Sequence, residues 1–570
     1  MPTDLSDRPI NDSPSKRWRR DTIAEHLTGL EDSRREEPVS IRHFADRHGI
    51  PKSTLHDWQQ RKRQLPADPR VIDFFESPQG LLVLHAIVLA AHMVFSFIGH
   101  AGIRPITRFL SLAGLAPFLA CSYGAQQAIA HNMTAQILAF EAEQRPRLAK
   151  TMPHRRMTVC EDETFPKGGM CLVARDPVSR YLLAETFENR RDADTWDAVL
   201  ERATADLNVE VIQQTGDEAS GLLAHARHQN LHHSPDLFHV LNDINKATVL
   251  PLKRRIDAAE AAVATAVAQT RRHQAQAAAY RKGPRPRGHP PDFETRIARA
   301  QAVEDSARAA LDAAVALERT RHAAVAGISS AYHPFDLQTG SARTAPAVEA
   351  LLLGHFKALD GLAASAGLSQ RSLKLLAKSR RRIPQMVATV GFFWGEVGSR
   401  ISAMRWRAPV EAAFRSRLLP AAYLSRVAKR APLAEARHAL EAVVAGLLAP
   451  LRVPDGVLSH LEPAARSSLE KLAWDCADVF QRSSSCVEGR NGALALAEHA
   501  RRGLPQRRLQ ALTIISNYGV VGEEGTTAAE RFFGQQHDDL FEWLLTTMPL
   551  PARPARKRPR PSKQTLLKAA

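Results

Sequence analysis

The chain has 570 residues, room for about three to five structural units at roughly 100–200 residues each, and a single small fold is excluded. Apolar residues make up 44% and charged residues 24%, so large cores are expected and wholesale disorder is not. Lys and Arg number 77 against 60 Asp and Glu, and the formal charge of +17 makes nucleic acid, ahead of a membrane surface, the first partner to consider, while 6% aromatics argue against a base-stacking single-strand binder.

Residues 1–70 read as a disordered start followed by a DNA-binding region. The opening, MPTDLSDRPINDSPSKRWRR, is polar and lacks the apolar stretch of a secretion signal. Residues 40–63, SIRHFADRHGIPKSTLHDWQQRKR, predict two short helices around a turn at Gly49, Ile50 and Pro51. This resembles a helix-turn-helix. In that motif the second helix enters the major groove, so Lys52, Ser53, Thr54, His56 and Gln59 would face bases or phosphates, with Arg61, Lys62 and Arg63 on the backbone. An ordinary helical hairpin with a basic end is the alternative.

Residues 71–150 read as a helical domain for DNA binding or dimerisation, with a turn centred on Gly114. Leu81 to Gly99 is uncharged and long enough to approach a bilayer span. His85 and His92 interrupt it and no belt of Trp or Tyr flanks it, so a buried helix is expected and no membrane partner.

From Met157 the character changes. MTVCEDE, MCLVARD and RYLLAETF predict three strands, a helix is expected at 192–207, and VEVIQQT predicts a fourth strand before Gly216-Asp217-Glu218 opens a helix. That is the element order of an RNase H-like α/β core, placed over 151–250 and resumed at 481–550. Between them, 251–480 is expected to be an all-α insertion. Leu252, Ile256, Ala259, Val263 and Ala266, then Val303, Ala307, Ala310, Ala314 and Leu317, recur with heptad spacing. The breaker KGPRPRGHPP between them predicts an antiparallel coiled-coil hairpin over about 251–327. Residues 551–570 form a basic, Pro-rich tail expected to be disordered. The fold class is therefore α+β, multidomain and mostly helical.

Three acids stand out by placement. Asp162 ends the first strand, Asp217 follows the fourth, and Glu488 opens a helix after a Ser run able to cap it. In an RNase H-like sheet the first and fourth strands are neighbours, which brings the first two together. Crowded carboxylates repel one another unless a cation sits between them. Oxygen ligands select Mg2+ or Mn2+, and two such ions clamp the attacking and leaving oxygens of a phosphoryl displacement. Glu161 and Glu163 remain alternatives to Asp162, and Glu218 a weaker one to Asp217.

The strings CEDETF, QTGDEASGLL, SPDLFHV, SSSCVEGRNGAL and GTTAAERFFGQQHDDLFEWLL resemble the characteristic blocks of DDE-type insertion-sequence transposases. The resemblance implies a transposase that binds double-stranded element ends and target DNA and performs metal-dependent cleavage and strand transfer as a homo-oligomer. It implies Asp162, Asp217 and Glu488 as the triad, separated by 55 and then 271 positions. The second gap requires a large insertion. Asp236 and His239 resemble the (C/D)-x-x-H element that organises the site, with a surface histidine beside a helix start as the alternative, and Arg490, Asn491 and Arg531 are candidates for terminal phosphates, with ion pairing in the core as the alternative. A catalytically inactive DNA-binding derivative and a nuclease on the same core are the competing readings. Five cysteines without C-x-x-C spacing predict neither a disulfide framework nor a zinc finger, and a reducing, nucleoid-associated cytoplasmic setting is expected.

Overall fold

A computed structural model describes residues 18–555, apart from 167–168, 285–286, 290, 455 and 502. The expected disordered start and nearly all of the basic tail lie outside the described residues. The protein is mostly helical with one small mixed sheet, and it divides into two compact units, 1–152 with 492–570, and 153–491.

In the first unit, α1 (Arg20–Glu36), α2 (Ile41–Arg47) and α3 (Lys52–Arg63) surround a core of Leu27, Leu30, Phe44, Ala45, Ile50, Leu55 and Trp58. Ser40 caps α2 by accepting the His43 amide, and Gly49 turns the chain at φ +62°, a left-handed conformation that a side chain would strain. Then come α4 (Pro69–Phe75), α5 (Pro78–Ala91) with a π-helical extension His92–Ile98, α6 (Ile103–Leu112) and α7 (Tyr123–Thr151). Pro78–Ile98 is long and apolar enough to cross a membrane, and 56% of its most apolar window is buried within the protein.

The second unit carries the sheet. Strands β1 (Arg155–Thr164), β2 (Met170–Arg175) and β3 (Leu182–Glu188) form an antiparallel meander; α8 (Ala193–Thr204) leads to β4 (Val209–Gly216), and α9 (Ser220–His228) to β5 (His232–Pro235). The order is β3-β2-β1-β4-β5, with β1, β4 and β5 mutually parallel. The four expected strands are present. β5, in the sequence HHSP, has no apolar alternation to announce it.

Among the described residues nine α-helices follow: α10 (Leu237–Lys282), α11 (Phe293–Ala331), α12 (Ala345–Ala366), α13 (Gln370–Arg380), α14 (Ile383–Met404), α15 (Ala408–Ala413), α16 (Leu419–Arg430), α17 (Ala434–Leu448) and α18 (Pro463–Ala477). They share one core that includes Leu252, Ile328, Phe356, Phe393, Phe414 and Phe480. α11 returns along α10, and of its expected inward row Ala307, Ala314 and Leu317 are wholly or partly buried, while Val303 and Ala310 give way to the residue that follows each. Val303 is 58% exposed and Ala310 is exposed, whereas Ala300, Glu304, Ala307, Leu311 and Ala314 are wholly or partly buried, at steps of 4, 3, 4 and 3.

α19 (Ser485–Arg501) begins in the second unit and ends in the first. There α20 (Gln506–Ile514), α21 (Ala528–Phe533) and α22 (Leu540–Thr547) complete the first unit, with Phe140 of α7 edge-on to Tyr518 and Trp543. Past α22 the chain runs back over the N-terminal helices. The Ala120 amide donates to the Ala552 carbonyl at 2.8 Å, and buried Glu76 is held between Arg20 and Arg553.

Candidate functional site

Three neighbouring parallel strands each deliver an acid at their carboxyl end. Asp162 lies near the end of β1, Asp217 follows β4 directly, and Asp236 follows β5 directly. Chain leaving a sheet in divergent directions opens a crevice there, which is where open α/β sheets hold ligands. Gly216 lets two of these ends approach: a Cβ on it would lie 2.8 Å from the Glu161 carbonyl oxygen. Asp217 Oδ1 accepts the Ala219 amide at 2.9 Å and so starts α9.

Asp236 is 2% exposed and both its oxygens are engaged. Oδ1 accepts the Phe238 amide, capping α10, and Oδ2 accepts the Ser484 hydroxyl and amide at 2.5 and 3.2 Å. The Leu237 amide donates to the Arg482 carbonyl at 2.9 Å. These bonds tie the start of α10 to the start of α19. Ser484 therefore serves Asp236, while Ser483 Oγ accepts the Ser485 amide. The result is that Glu488, in the first turn of α19, has its ligand atoms within 4.8 Å of those of His239 and Asp236. Among the described residues Glu488 groups with these two, not with Asp162 and Asp217.

Asp162 accepts the Asn491 Nδ2 at 2.7 Å and the Glu163 amide at 2.9 Å. Burial, reinforced by the charges of Asp217 and Glu488, pushes its carboxyl from the usual 3.8 up to about 6, against the pull of the Glu163 amide and His239. Glu488 is also raised, by burial and then by Asp236, with His239 opposing. Asn491 Oδ1 is buried without a partner.

A cleft of about 670 Å³ adjoins these groups, lined among others by Glu163, Arg191, Asp217, His239, Lys378 and Arg382. The other acids nearby have cationic partners. Glu163 Oε2 meets Arg191 Nη1 at 2.6 Å, Glu218 Oε2 meets Arg382 Nε at 2.7 Å, and fully buried Glu161 has His225 Nε2 at 3.4 Å. Asp162, Asp217 and Glu488 pair with no Lys or Arg among the described residues. That contrast separates them from Glu163 and Glu218, whereas a histidine lies beside both Glu161 and Glu488.

The remaining expected site residues are distributed differently. Arg490 makes a two-pronged ion pair with Glu185 of β3 at 2.7 and 2.6 Å and is buried, because successive residues on a helix point about 100° apart and Asn491 takes the cleft side. Arg531 lies in the other unit, where Nη1 donates to the Thr526 carbonyl at 2.6 Å and its hydroxyl at 3.1 Å. On α3, Lys52, Ser53, His56 and Arg63 are exposed and Thr54 is half-buried. Gln59, expected on the DNA face, is instead 8% exposed, and Arg61 donates to the Pro554 carbonyl at 3.1 Å. Lys62 turns inward to Glu31 and Asp73 at 2.8 and 2.9 Å.

Sequence reasoning missed the cations that satisfy the rival acids, since Arg191, His225 and Arg382 lie 28, 64 and 164 positions from the acids they meet. Residues 414–560, which include Glu488, Asn491 and Arg531, match a family described as "Family of unknown function (DUF6399)". No curated protein matches the chain.

Proposed function

We propose that the protein is a DNA transposase of the DDE type, with Asp162, Asp217 and Glu488 as its metal-binding acids. The observation that carries the reading is the set of three carboxylates, none ion-paired to a Lys or Arg among the described residues, at one end of the sheet, two of them at the ends of adjacent strands. The strand order β3-β2-β1-β4-β5, antiparallel then parallel, agrees with the order expected of an RNase H-like core and supports the reading. The helices between β5 and α19 then form the insertion, with α10 and α11 as its coiled-coil hairpin.

The donor set fits a divalent cation. It is rich in carboxylate oxygen, Asn491 Oδ1 is an unused buried acceptor beside Asp162, and ionising Asp162 is unfavourable without a positive neighbour. When bound, Mg2+ or Mn2+ would stabilise the attacking and departing oxygens of an in-line phosphoryl displacement. The chain's own contribution is positioning. Asn491 orients Asp162, Asp217 is fixed by the start of α9, and the Asp236–Ser484 bonds hold Glu488 beside His239. Lys378 and Arg191, half-exposed or more on the cleft wall, offer charge to a phosphodiester backbone. Exposed Lys52, Ser53, His56 and Arg63 are assigned to recognition of element ends.

In the first reaction water bonds to phosphorus and the P–O3′ bond breaks, leaving a 3′ hydroxyl. In the second that hydroxyl attacks a target phosphodiester and displaces a target 3′ oxygen. The test is cleavage and joining of labelled element-end DNA by purified protein with Mg2+ or Mn2+. Products that vanish in Asp217→Ala and Glu488→Ala support the proposal. Cleavage without joining would favour a nuclease, end binding without turnover an inactive derivative, and unchanged products in the variants would remove the triad assignment.

A further inference from the structure

The residue before Asp162 presents a physical problem. Glu161 is 0% exposed on β1, and strand alternation sends it to the face opposite Asp162. A buried carboxylate is costly unless charge and hydrogen bonds compensate it. Its neighbour is His225 of α9, also 0% exposed, with Nε2 3.4 Å from Glu161 Oε1 and Nδ1 2.6 Å from Asp197 Oδ1 of α8. Nδ1 is hydrogen-bonded to Asp197, and Nε2 faces Glu161 at ion-pair distance without a hydrogen bond. Burial opposes a charge on the ring, but Glu161 and then Asp197 outweigh it, so the ring is raised above its usual value. Asp197 also accepts from His228 Nδ1 at 3.0 Å and Gln229 Nε2 at 3.1 Å, and burial of this carboxyl is outweighed by these donors. Trp196 packs against the imidazole face.

This chain of groups runs from strand β1 through the middle of α9 to α8. α9 is the helix whose preceding residue, Ala219, donates its amide to Asp217, and its second residue, Gly221, passes so close to Arg191 that a Cβ would overlap the Arg191 carbonyl. The helix is fixed at its start by backbone contact and along its length by its buried Leu222 and Ala226, while its described polar ties are His225, His228 and Gln229 on Asp197 and His225 on Glu161. Moving α9 along β1 would move Asp217 relative to Asp162.

We propose that Glu161, His225 and Asp197 are a positioning relay that docks α9 on β1 and thereby sets the spacing of Asp162 and Asp217. The proposal rests on the reading of those two aspartates as cation ligands. None of the three relay residues touches substrate in this scheme; they act through Asp217.

The test is Mn2+ binding by the full chain, followed by calorimetry and by electron paramagnetic resonance of the bound ion, in wild type, Glu161→Gln, His225→Gln and Asp197→Asn. Weaker Mn2+ binding by about 10- to 100-fold in each variant, the range for lost outer partners of metal ligands, is expected. A purely structural role would lower the melting temperature and leave the affinity of the folded protein unchanged, and that result would overturn the relay. Asp197→Asn, at the partly exposed end, stands in if a buried variant does not fold; because Asp194, Asp197 and His228 could themselves hold an ion, it is read against Asp194→Asn, which should leave Mn2+ affinity unchanged, and an equal loss there would overturn the relay. Absence of Mn2+ binding in wild type would defeat the ligand reading and the relay with it, whereas tight binding in wild type and all variants would defeat the relay alone.

Discussion

Two sets of acids sit within a few residues of each other at the same end of the sheet. Glu161, Glu163 and Glu218 each meet a cation supplied by the chain: His225, Arg191 and Arg382. Asp162, Asp217 and Glu488 ion-pair with no Lys or Arg among the described residues, although His239 stands beside Glu488 and the Arg191 charge acts on Asp217, and Asp162 is held well above its usual value by burial and by the other two. The first set is neutralised internally and contributes to the fold. The second is left electrostatically incomplete, which folding alone would not favour and which a bound cation would relieve.

The largest expected effect separates the sets by function. Asp217→Asn or Glu488→Gln should lower DNA cleavage by about 10³-fold or more, ~4 kcal/mol of barrier, whereas Glu218→Gln should stay within about tenfold. Equal losses in both sets would erase the distinction. Next comes Gly216→Ala, which forces β4 away from the Glu161 carbonyl and should reduce cleavage by about 10²-fold, the scale of an ångström-level misplacement. End binding through the N-terminal helices should persist in that variant.

A third effect concerns stability. Because the folded state raises Asp162 from 3.8 to about 6, its contribution favours folding at low pH and is lost as pH rises through about 6, a change of about 3 kcal/mol. Millimolar Mn2+ should therefore raise the melting temperature at pH 7.5 by roughly 2–4 °C and do so much less at pH 5. Asp162→Asn should remove the pH-dependent part. His225 is also raised, so its stabilisation is fully present below pH 6.5 and lost as pH climbs through the raised folded value. The stability gap between wild type and His225→Gln should narrow over that alkaline window. The smallest effect is on DNA binding: Lys52→Ala should flatten the salt dependence of end binding by about one counterion, while Gln59→Ala should affect stability rather than affinity.

Much of the architecture was legible because strong periodicity survives packing. MTVCEDE, MCLVARD, RYLLAETF and VEVIQQT alternate or run apolar, and all four are strands. β5 was not, since HHSP carries two histidines whose burial becomes possible only when His233 bonds Gln214 and His232 stacks on Phe392. Spacing placed Gln59 and Lys62 on the helix surface, but Gln59 is buried and Lys62 turns to Glu31 of α1 and Asp73 of α4. Candidate acids could be picked out by position; their partners could not. Whether Arg490 or Asn491 turned toward Asp162 depended on the helix phase set by Ser484 and Asp236, a contact spanning 248 positions.

The most direct measurement of the central contrast is Mn2+ titration calorimetry at pH 7.5 on the wild type and single neutralising variants of each set. Binding should be lost or weakened by more than about 10²-fold in Asp162→Asn, Asp217→Asn and Glu488→Gln, and kept within about tenfold in Glu163→Gln and Glu218→Gln. Equal Mn2+ binding across all five variants would contradict the assignment of the unpaired acids as a cation site.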